Sequence, residues 1–427
     1  MVYKMRHGRI AALALAALIL CGCGKKSDGT VARSENFTFS RDMAVYQLYC
    51  DRMELGRSVA AQSITAESLA EYTADNIREM LIYCEAAKTD GFSPDEGMLY
   101  RVNETLSYIS LAAENAGMST LDYVHATFGE AVTLEAIKLC VEMYVMCEGY
   151  EDSMILSQDV GDDEAKSYAD THPEDFLKYD FVRYSTAEAG LRDSLAAAKT
   201  PAEFSDEVLS AVPALSRTDT DKNGIPDALE QSDITVSSDG AAGKYFAGDG
   251  RTVGETFVED EGSGWTVTMA VVLPRRIETP TWDFRMVKLT DARSNAPGDD
   301  AASLYGQWLE KGSGEDGISA LASRYSDDPT AYSGGLMLGA TYADMPCDEV
   351  AAWVRDPARA VGDAAAIASE DGCGYILYFR GFGGALWLHD VKNALARAAF
   401  DAKLAEAKSS LADSITVDYD AILALAN

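Results

Sequence analysis

Between residues 35 and 165 apolar side chains recur every three or four positions, the period of a helix with one buried face. Phe92-Ser93-Pro94-Asp95-Glu96 carries the clearest helix start. Ser93 is expected as N-cap, Pro94 as the first helical residue, Glu96 as the capping-box partner and Phe92 as the hydrophobic staple. Leu99, Val102, Leu106, Ile109 and Ala113 follow at helical spacing, and Gly117 supplies the stop. Ser119 and Thr133 are expected to cap two more helices, separated at Phe128-Gly129. Tyr72, Leu81, Tyr83, Tyr108, Tyr123, Met143, Tyr144 and Met146 share the period. Most of them are expected in the core, with part of the stripe open to an apolar partner.

After Asp162 the pattern changes. Lys178-Tyr179-Asp180-Phe181-Val182-Arg183-Tyr184 reads as a strand, with helical stretches through Leu195 and then Phe204 and Leu209, and a strong strand over Trp265–Val272. The order recurs: a strand over Trp282–Leu289, helices through Leu304, Leu309, Ile318 and Leu321, and a closing strand over Gly374–Phe379. Val253-Gly254-Glu255 before Gly262-Ser263-Gly264-Trp265 matches Val361-Gly362-Asp363 before Gly372-Cys373-Gly374-Tyr375. A repeat of about a hundred residues is too long for a solenoid unit and fits a duplicated α/β domain. Past Gly383-Gly384 an Ala-rich helix carries Leu386, Val391, Leu395, Phe400 and Leu404 on one side. It needs a partner, and the N-terminal helices are the expected one.

The chain begins with Lys4, Arg6 and Arg9 before an apolar run from Ile10 to Leu20, which reads as a secretory signal too short to span a bilayer. Leu20-Cys21-Gly22-Cys23 resembles the bacterial lipobox, so cleavage is expected before Cys23, leaving its thiol for a diacylglycerol. Cleavage before Cys21 would put bulky Leu20 where a small residue belongs. The expectation is a signal peptide over 1–22, a lipidated tether over 23–34, and a protein held at the outer face of the cell membrane. Loss of the signal removes three basic and no acidic residues, leaving 33 basic against 69 acidic ones, a charge near −36. That surface argues against nucleic acid as a partner and favours solubility, divalent cations and basic unfolded chains. Six cysteines follow Cys23, with neither CxxC nor Cys/His metal spacing. Disulfides and buried free thiols both remain open.

Three stretches resemble the extracytoplasmic foldases of the SurA and PrsA type, which join a helical chaperone domain to parvulin domains. Asp162-Asp163-Glu164 through Tyr168, Pro173 and Tyr179–Tyr184 resembles the exit from the helical domain into the first parvulin strand. Leu321-Ala322-Ser323-Arg324-Tyr325-Ser326-Asp327-Asp328 with Ser333-Gly334-Gly335-Leu336-Met337-Leu338-Gly339 resembles the parvulin signature, and Gly374-Tyr375-Ile376-Leu377 its closing strand. The resemblance implies an α+β chain: a helical chaperone-like domain over 35–165, a degenerate parvulin-like domain over 166–275, a second parvulin-like domain over 276–383, and a C-terminal helix over 384–427 that packs back on the helical domain. It implies that unfolded or proline-containing exported polypeptides are the partners, and prolyl cis-trans isomerisation the family reaction. A non-catalytic scaffold lipoprotein that binds one exported partner is the alternative.

Parvulins set two histidines and an Asp or Cys beside an apolar proline pocket, so that a twisted amide is bound better than a planar one. Here the first histidine position falls on Met286, or on Arg285 if the register slips by one, and the second on Ile376. Asp328 stands at the Asp/Cys position, Met345 at the pocket methionine, and Val350 or Glu349 at the pocket phenylalanine. No histidine lies between Leu273 and Trp387. The resemblance therefore implies a parvulin fold with weak or lost isomerase activity, and an inert first copy.

That first copy contains Asp219-Thr220-Asp221-Lys222-Asn223-Gly224-Ile225-Pro226-Asp227-Ala228-Leu229-Glu230, a D-x-D-x-N-G-x5-E calcium-loop pattern. Asp219, Asp221 and Asn223 would supply side-chain oxygens, Ile225 its carbonyl, Asp227 a direct or water-borne ligand, and Glu230 a bidentate carboxylate. A structural calcium ion pinning this insertion is the expectation, against an acidic turn in an acidic protein.

Overall fold

The structure is a computed structural model that describes residues 29–58, 64–215, 218–292 and 294–427. The signal peptide, Cys23 and the first part of the tether lie outside the described residues. The protein is a mixed chain of helix and sheet, and among the described residues no helix is long and apolar enough to cross a membrane. It separates into two compact units. One holds the residues up to Asp159 with Trp282–Phe382 and Ala396–Asn427, the other Val160–Thr281 with Gly383–Leu395.

The first unit opens with β1 (Thr30–Arg33), paired antiparallel to β2 (Thr38–Ser40). Val31 and Ala32 are buried in this small sheet, so Thr30–Arg33, within the segment expected as a tether, are part of the fold. Helices α1 (Arg41–Ser58), α2 (Ala66–Thr89), α3 (Glu96–Asn115), α4 (Thr120–Phe128) and α5 (Leu134–Leu156) follow. Thr65 and Ser68 cap α2 reciprocally, satisfying donors the helix itself leaves open. Helix α3 starts two residues later than the sequence implies. Asp95, rather than Ser93, accepts the Met98 N–H at 2.7 Å and caps the helix, so Pro94 stays outside it. Asp caps as well as Ser does, and the two candidates compete in adjacent turns. Ser119 and Thr133 cap α4 and α5 as expected.

Leu69, Ile77, Leu81 and Cys84 of α2 meet Ile137, Cys140, Met143 and Tyr150 of α5 in the main core. A polar cluster interrupts it. Gln47 Nε2 and Asn76 Nδ2 each donate to Asp51 Oδ1 at 2.9 Å, and Gln47 also reaches the Tyr144 hydroxyl at 2.6 Å. Burial raises the Asp51 pKa to about 6 despite these bonds.

The second unit contains α6 (Asp162–Thr171), β3 (Lys178–Thr186), α7 (Ala189–Ala197), α8 (Pro201–Ala211), β4 (Glu230–Thr235), α9 (Gly240–Phe246), β5 (Thr256–Asp260) and β6 (Trp265–Arg275). Its sheet runs β4-β3-β6-β5. Helix α6 belongs here, and the boundary between the two units falls after Asp159. In the first unit β7 (Pro280–Leu289), α10 (Pro297–Glu310), α11 (Glu315–Tyr325), β8 (Leu336–Ala340), α12 (Asp348–Val354), β9 (Ala364–Ala368) and β10 (Gly374–Ala385) repeat the plan, with sheet order β8-β7-β10-β9. In both, two helices follow the first strand, one helix follows the second, and the first strand sits beside the last.

The likeness extends to single atoms. Arg251 Nε donates to the Tyr245 carbonyl at 3.1 Å, and Arg359 Nε to the Trp353 carbonyl at 3.2 Å. Each guanidinium covers the ring of that same residue, at 3.7 and 4.1 Å, and pairs with a carboxylate four residues on, Glu255 or Asp363. Between them Gly254 (φ 80°) and Gly362 (φ 94°) donate to Ala270 and Phe379 of the closing strand, both at 2.9 Å. The turn needs positive φ, which favours glycine in each copy.

Helix α13 (Leu386–Leu411) is divided between the units. Trp387, Leu388 and Val391 pack with Ala165, Ala169 and Phe176 in the second unit, while Phe400 and Leu404 join the helical core of the first beside Tyr83 and Tyr150. Strand β11 (Thr416–Val417) then completes the small sheet on β1, and α14 (Tyr419–Ala426) buries Ile422.

Asp51 makes a pH-linked contribution that can be isolated. An acid whose folded pKa lies above its unfolded value favours the fold when protonated, so stability falls as pH rises from about 4 to 6 and stays low above. Two pKa units correspond to about 3 kcal/mol. Asp51→Asn should raise stability at pH 7 by an amount of that order and leave it nearly unchanged at pH 3.5. Urea titrations of both proteins at the two pH values test this, and equal midpoints at pH 7 would refute it.

Candidate functional site

The two faces of the second sheet are separately packed. Trp282, Phe284 and Met286 of β7 stand with Tyr375, Leu377 and Phe379 of β10, under Val350 and Val354 of α12, and Met345 packs at the edge. Val287 and Leu289 point the other way, with Ile376, Ala301, Trp308, Ile318 and Ala322 beneath α10 and α11. Strand side chains alternate between faces, so Met286, Met345 and Val350 are brought together while Ile376 is removed from that set. Tyr375 and Leu377 share the face of Met286 instead.

Met286 is 1% and Val350 0% exposed, so the face is filled by its own side chains. Of the two candidates for the pocket phenylalanine position, Val350 faces this core, whereas Glu349 accepts the Glu370 N–H at 2.9 Å. Arg285 pairs with Glu315 at 2.8 Å and donates to the Ser333 and Gly334 carbonyls. The adjacent Gly335 is required by close approach: a Cβ there would stand 2.1 Å from the Met286 carbonyl, at φ 72°. Asp328 caps the turn Pro329–Ser333, its Oδ1 accepting the Thr330 N–H at 2.9 Å and hydroxyl at 2.7 Å. Neighbouring Asp327 accepts the Thr290 N–H and hydroxyl, both at 2.8 Å. Asp327 thus ties this segment to the end of β7, while Asp328 shapes the turn beside it.

The first copy carries a polar group on the matching face. Tyr179 and Phe181 of β3 pack with Val236, Phe246 and Ala270, and Arg183 follows two residues on, opposite Thr268 of β6. Its Nη1 and Nη2 reach both oxygens of Asp239 at 2.7 and 2.6 Å, and its Nε reaches Thr268 Oγ1 at 2.8 Å. The Tyr179 hydroxyl also donates to Asp239. Burial, then this bond, pushes the Tyr179 phenol up, so it remains a donor. Sequence reading missed Asp239. The visible signal is an arginine at the inward phase of an alternating strand, which demands a carboxylate, but a chain this acidic offers too many candidates.

In the acidic loop, Asp219 accepts the N–H groups of Asn223 at 3.0 Å and Gly224 at 2.8 Å, while Asn223 Nδ2 bonds Asp221 at 3.0 Å and Glu230 at 2.5 Å. Both Asp227 oxygens are taken by Thr220, and Ile225 is buried. Burial and the charges of Asp221, Asp227 and Asp219 push the Glu230 carboxyl up against the Asn223 bond. Among the described residues no three His, Cys, Asp or Glu side chains stand together as a metal-holding group. The donor types suit calcium, and an ion would have to replace the Asn223 bonds.

No protein-family model and no curated protein matches the chain.

Arg183 and Asp239 should behave as a coupled, half-buried pair. Arg183→Met leaves Asp239, whose side chain is 10% exposed, without its counter-charge, at an expected cost of about 2 kcal/mol. Adding Asp239→Leu should recover most of that. A double-mutant cycle by denaturant unfolding measures the coupling, and additive losses would show the pair to be independent.

Proposed function

We propose that this protein is a lipid-anchored extracytoplasmic chaperone of parvulin-foldase type, tethered through Cys23, that holds unfolded exported polypeptides with little or no isomerase activity. The observation that carries the reading is the repeated four-stranded unit whose opening and closing strands are neighbours at the sheet centre, joined to the signature segment Leu321–Gly339. Weak catalysis follows from the site. Met286 and Val350 are buried, Ile376 lies on the far face, and Asp328 is engaged in its own turn. A twisted amide would find neither an imidazole nor an unengaged Asp328 carboxylate there.

Holding an unfolded chain needs only apolar surface beside charge. Tyr108 and Leu111 of α3 and Leu121 of α4 are 65%, 54% and 49% exposed, and Met118 in the connection between these helices and the acidic residues Glu114 and Asp122 are exposed as well. Such a surface suits segments mixing apolar and basic residues. In a proline-limited refolding assay, stoichiometric protein should give no rate gain. It should suppress aggregation of several unrelated unfolded clients, and Tyr108→Ser with Leu111→Ser and Leu121→Ser should abolish most of that protection at unchanged thermal stability. Protection confined to a single client would favour the scaffold reading, and a strong rate gain would restore the isomerase.

The same reading gives the Asp219–Glu230 loop a structural calcium ion. Titration calorimetry with calcium should show one site, lost in Glu230→Ala, and chelator should lower the melting temperature of the native protein only. Absence of binding heat, with identical melting in calcium and chelator, would make the loop an acidic turn.

A further inference from the structure

Of the six cysteines that follow Cys23, Cys84 and Cys147 stand apart by their geometry. They lie 63 positions apart in sequence, at the centre of the α2–α5 seam, and their Sγ atoms are 3.9 Å apart. The arrangement is reciprocal. Cys147 Sγ lies 3.7 Å from the Met80 carbonyl, one turn before Cys84, and Cys84 Sγ lies 4.0 Å from the Met143 carbonyl, one turn before Cys147. Each thiol therefore points across the interface at the level of the other, on helices running in opposite directions.

Small side chains that let two helices approach would explain one such residue on each helix. They would not require two sulfurs aimed at each other. A disulfide needs an S–S separation of about 2.05 Å and side chains directed toward one another. Here the direction is already met, and the remaining approach of about 2 Å is within reach of side-chain torsion and a small helix shift.

We propose that Cys84 and Cys147 form a structural disulfide joining α2 to α5. The chemistry is thiol–disulfide exchange with a small-molecule or protein disulfide as oxidant. The thiolate of one cysteine attacks the oxidant's S–S bond, expelling one thiolate and leaving a mixed disulfide. The second cysteine's thiolate then attacks the protein-bound sulfur and expels the other. Two thiols lose two protons and two electrons, and the oxidant leaves as two thiols. Burial pushes the Cys147 thiol well up, so the exchange belongs to folding, before the core closes around these sulfurs. The bond depends on an oxidising compartment, which the signal sequence is expected to supply, and on nothing in the foldase reading.

The full chain, reduced and denatured, is refolded in a buffer of oxidised and reduced glutathione, quenched with an alkylating reagent and digested without reduction for mass spectrometry. One linked peptide joining Cys84 to Cys147 is expected, with Cys50, Cys140, Cys347 and Cys373 alkylated. Reduction should then lower the melting temperature by roughly 5 °C or more, a difference that disappears in Cys84→Ala with Cys147→Ala. Alkylation of both residues in the refolded native protein, or a linkage from either one to a different cysteine, would overturn the proposal. The mass measurement on the wild-type chain decides it even if the double variant fails to fold. Because the oxidant is supplied in the buffer, a negative result bears on the pairing and leaves export and client binding untouched.

Discussion

Each sheet is closed by pairing its opening strand with its closing strand, and the other parts of the repeat hang from that contact. In the first copy β3 lies antiparallel along β6 from Lys178–Arg275 to Thr186–Trp265. Residues almost a hundred positions apart must meet before the intervening helices have a surface to cover, which is an entropic cost borne at the outset. The two outer strands, β4 with β5 and β8 with β9, then add one to each side. The Arg251 and Arg359 turns fasten the approach to the closing strand in both copies, with an aromatic ring, a carboxylate and a glycine at matching offsets.

The same central strands carry opposite chemistry on one face. Arg183, Asp239 and Thr268 form a hydrogen-bonded ionic group in the first copy, while Met286 and its neighbours form a dry core in the second. A fold that accepts either content at its centre is held by backbone pairing and by the opposite face, where Val182, Leu195, Phe204 and Val208 in one copy correspond to Val287, Ile318 and Ala322 in the other.

Much of the fold was legible because it depends on periodicity. The strands at 178, 265, 282 and 374, the paired helices after each opening strand, and the caps Ser119 and Thr133 all follow from spacing alone. Three features resisted. The start of α3 was misplaced because Ser93 and Asp95 are both good caps and only packing selects one. The short strands at Thr30 and Thr416 are too brief to have a period, and each is stabilised by the other's presence. Ile376, at the second histidine position, lies on the face opposite Met286, a feature that motif position alone does not reveal because one residue of strand phase inverts every side chain. Met286, Met345 and Val350, named from motif positions, share one core, whereas Asp239 cannot be selected from so many acids without knowing which loop returns to β3.

The arginine turn is a closely shared detail of the two copies. The two copies differ at their centres and share the ring, the guanidinium, the carboxylate and the left-handed glycine that guide the last strand home. A substitution scan across either copy should therefore find its least forgiving positions at this peripheral corner, well away from any place where chemistry would be sought.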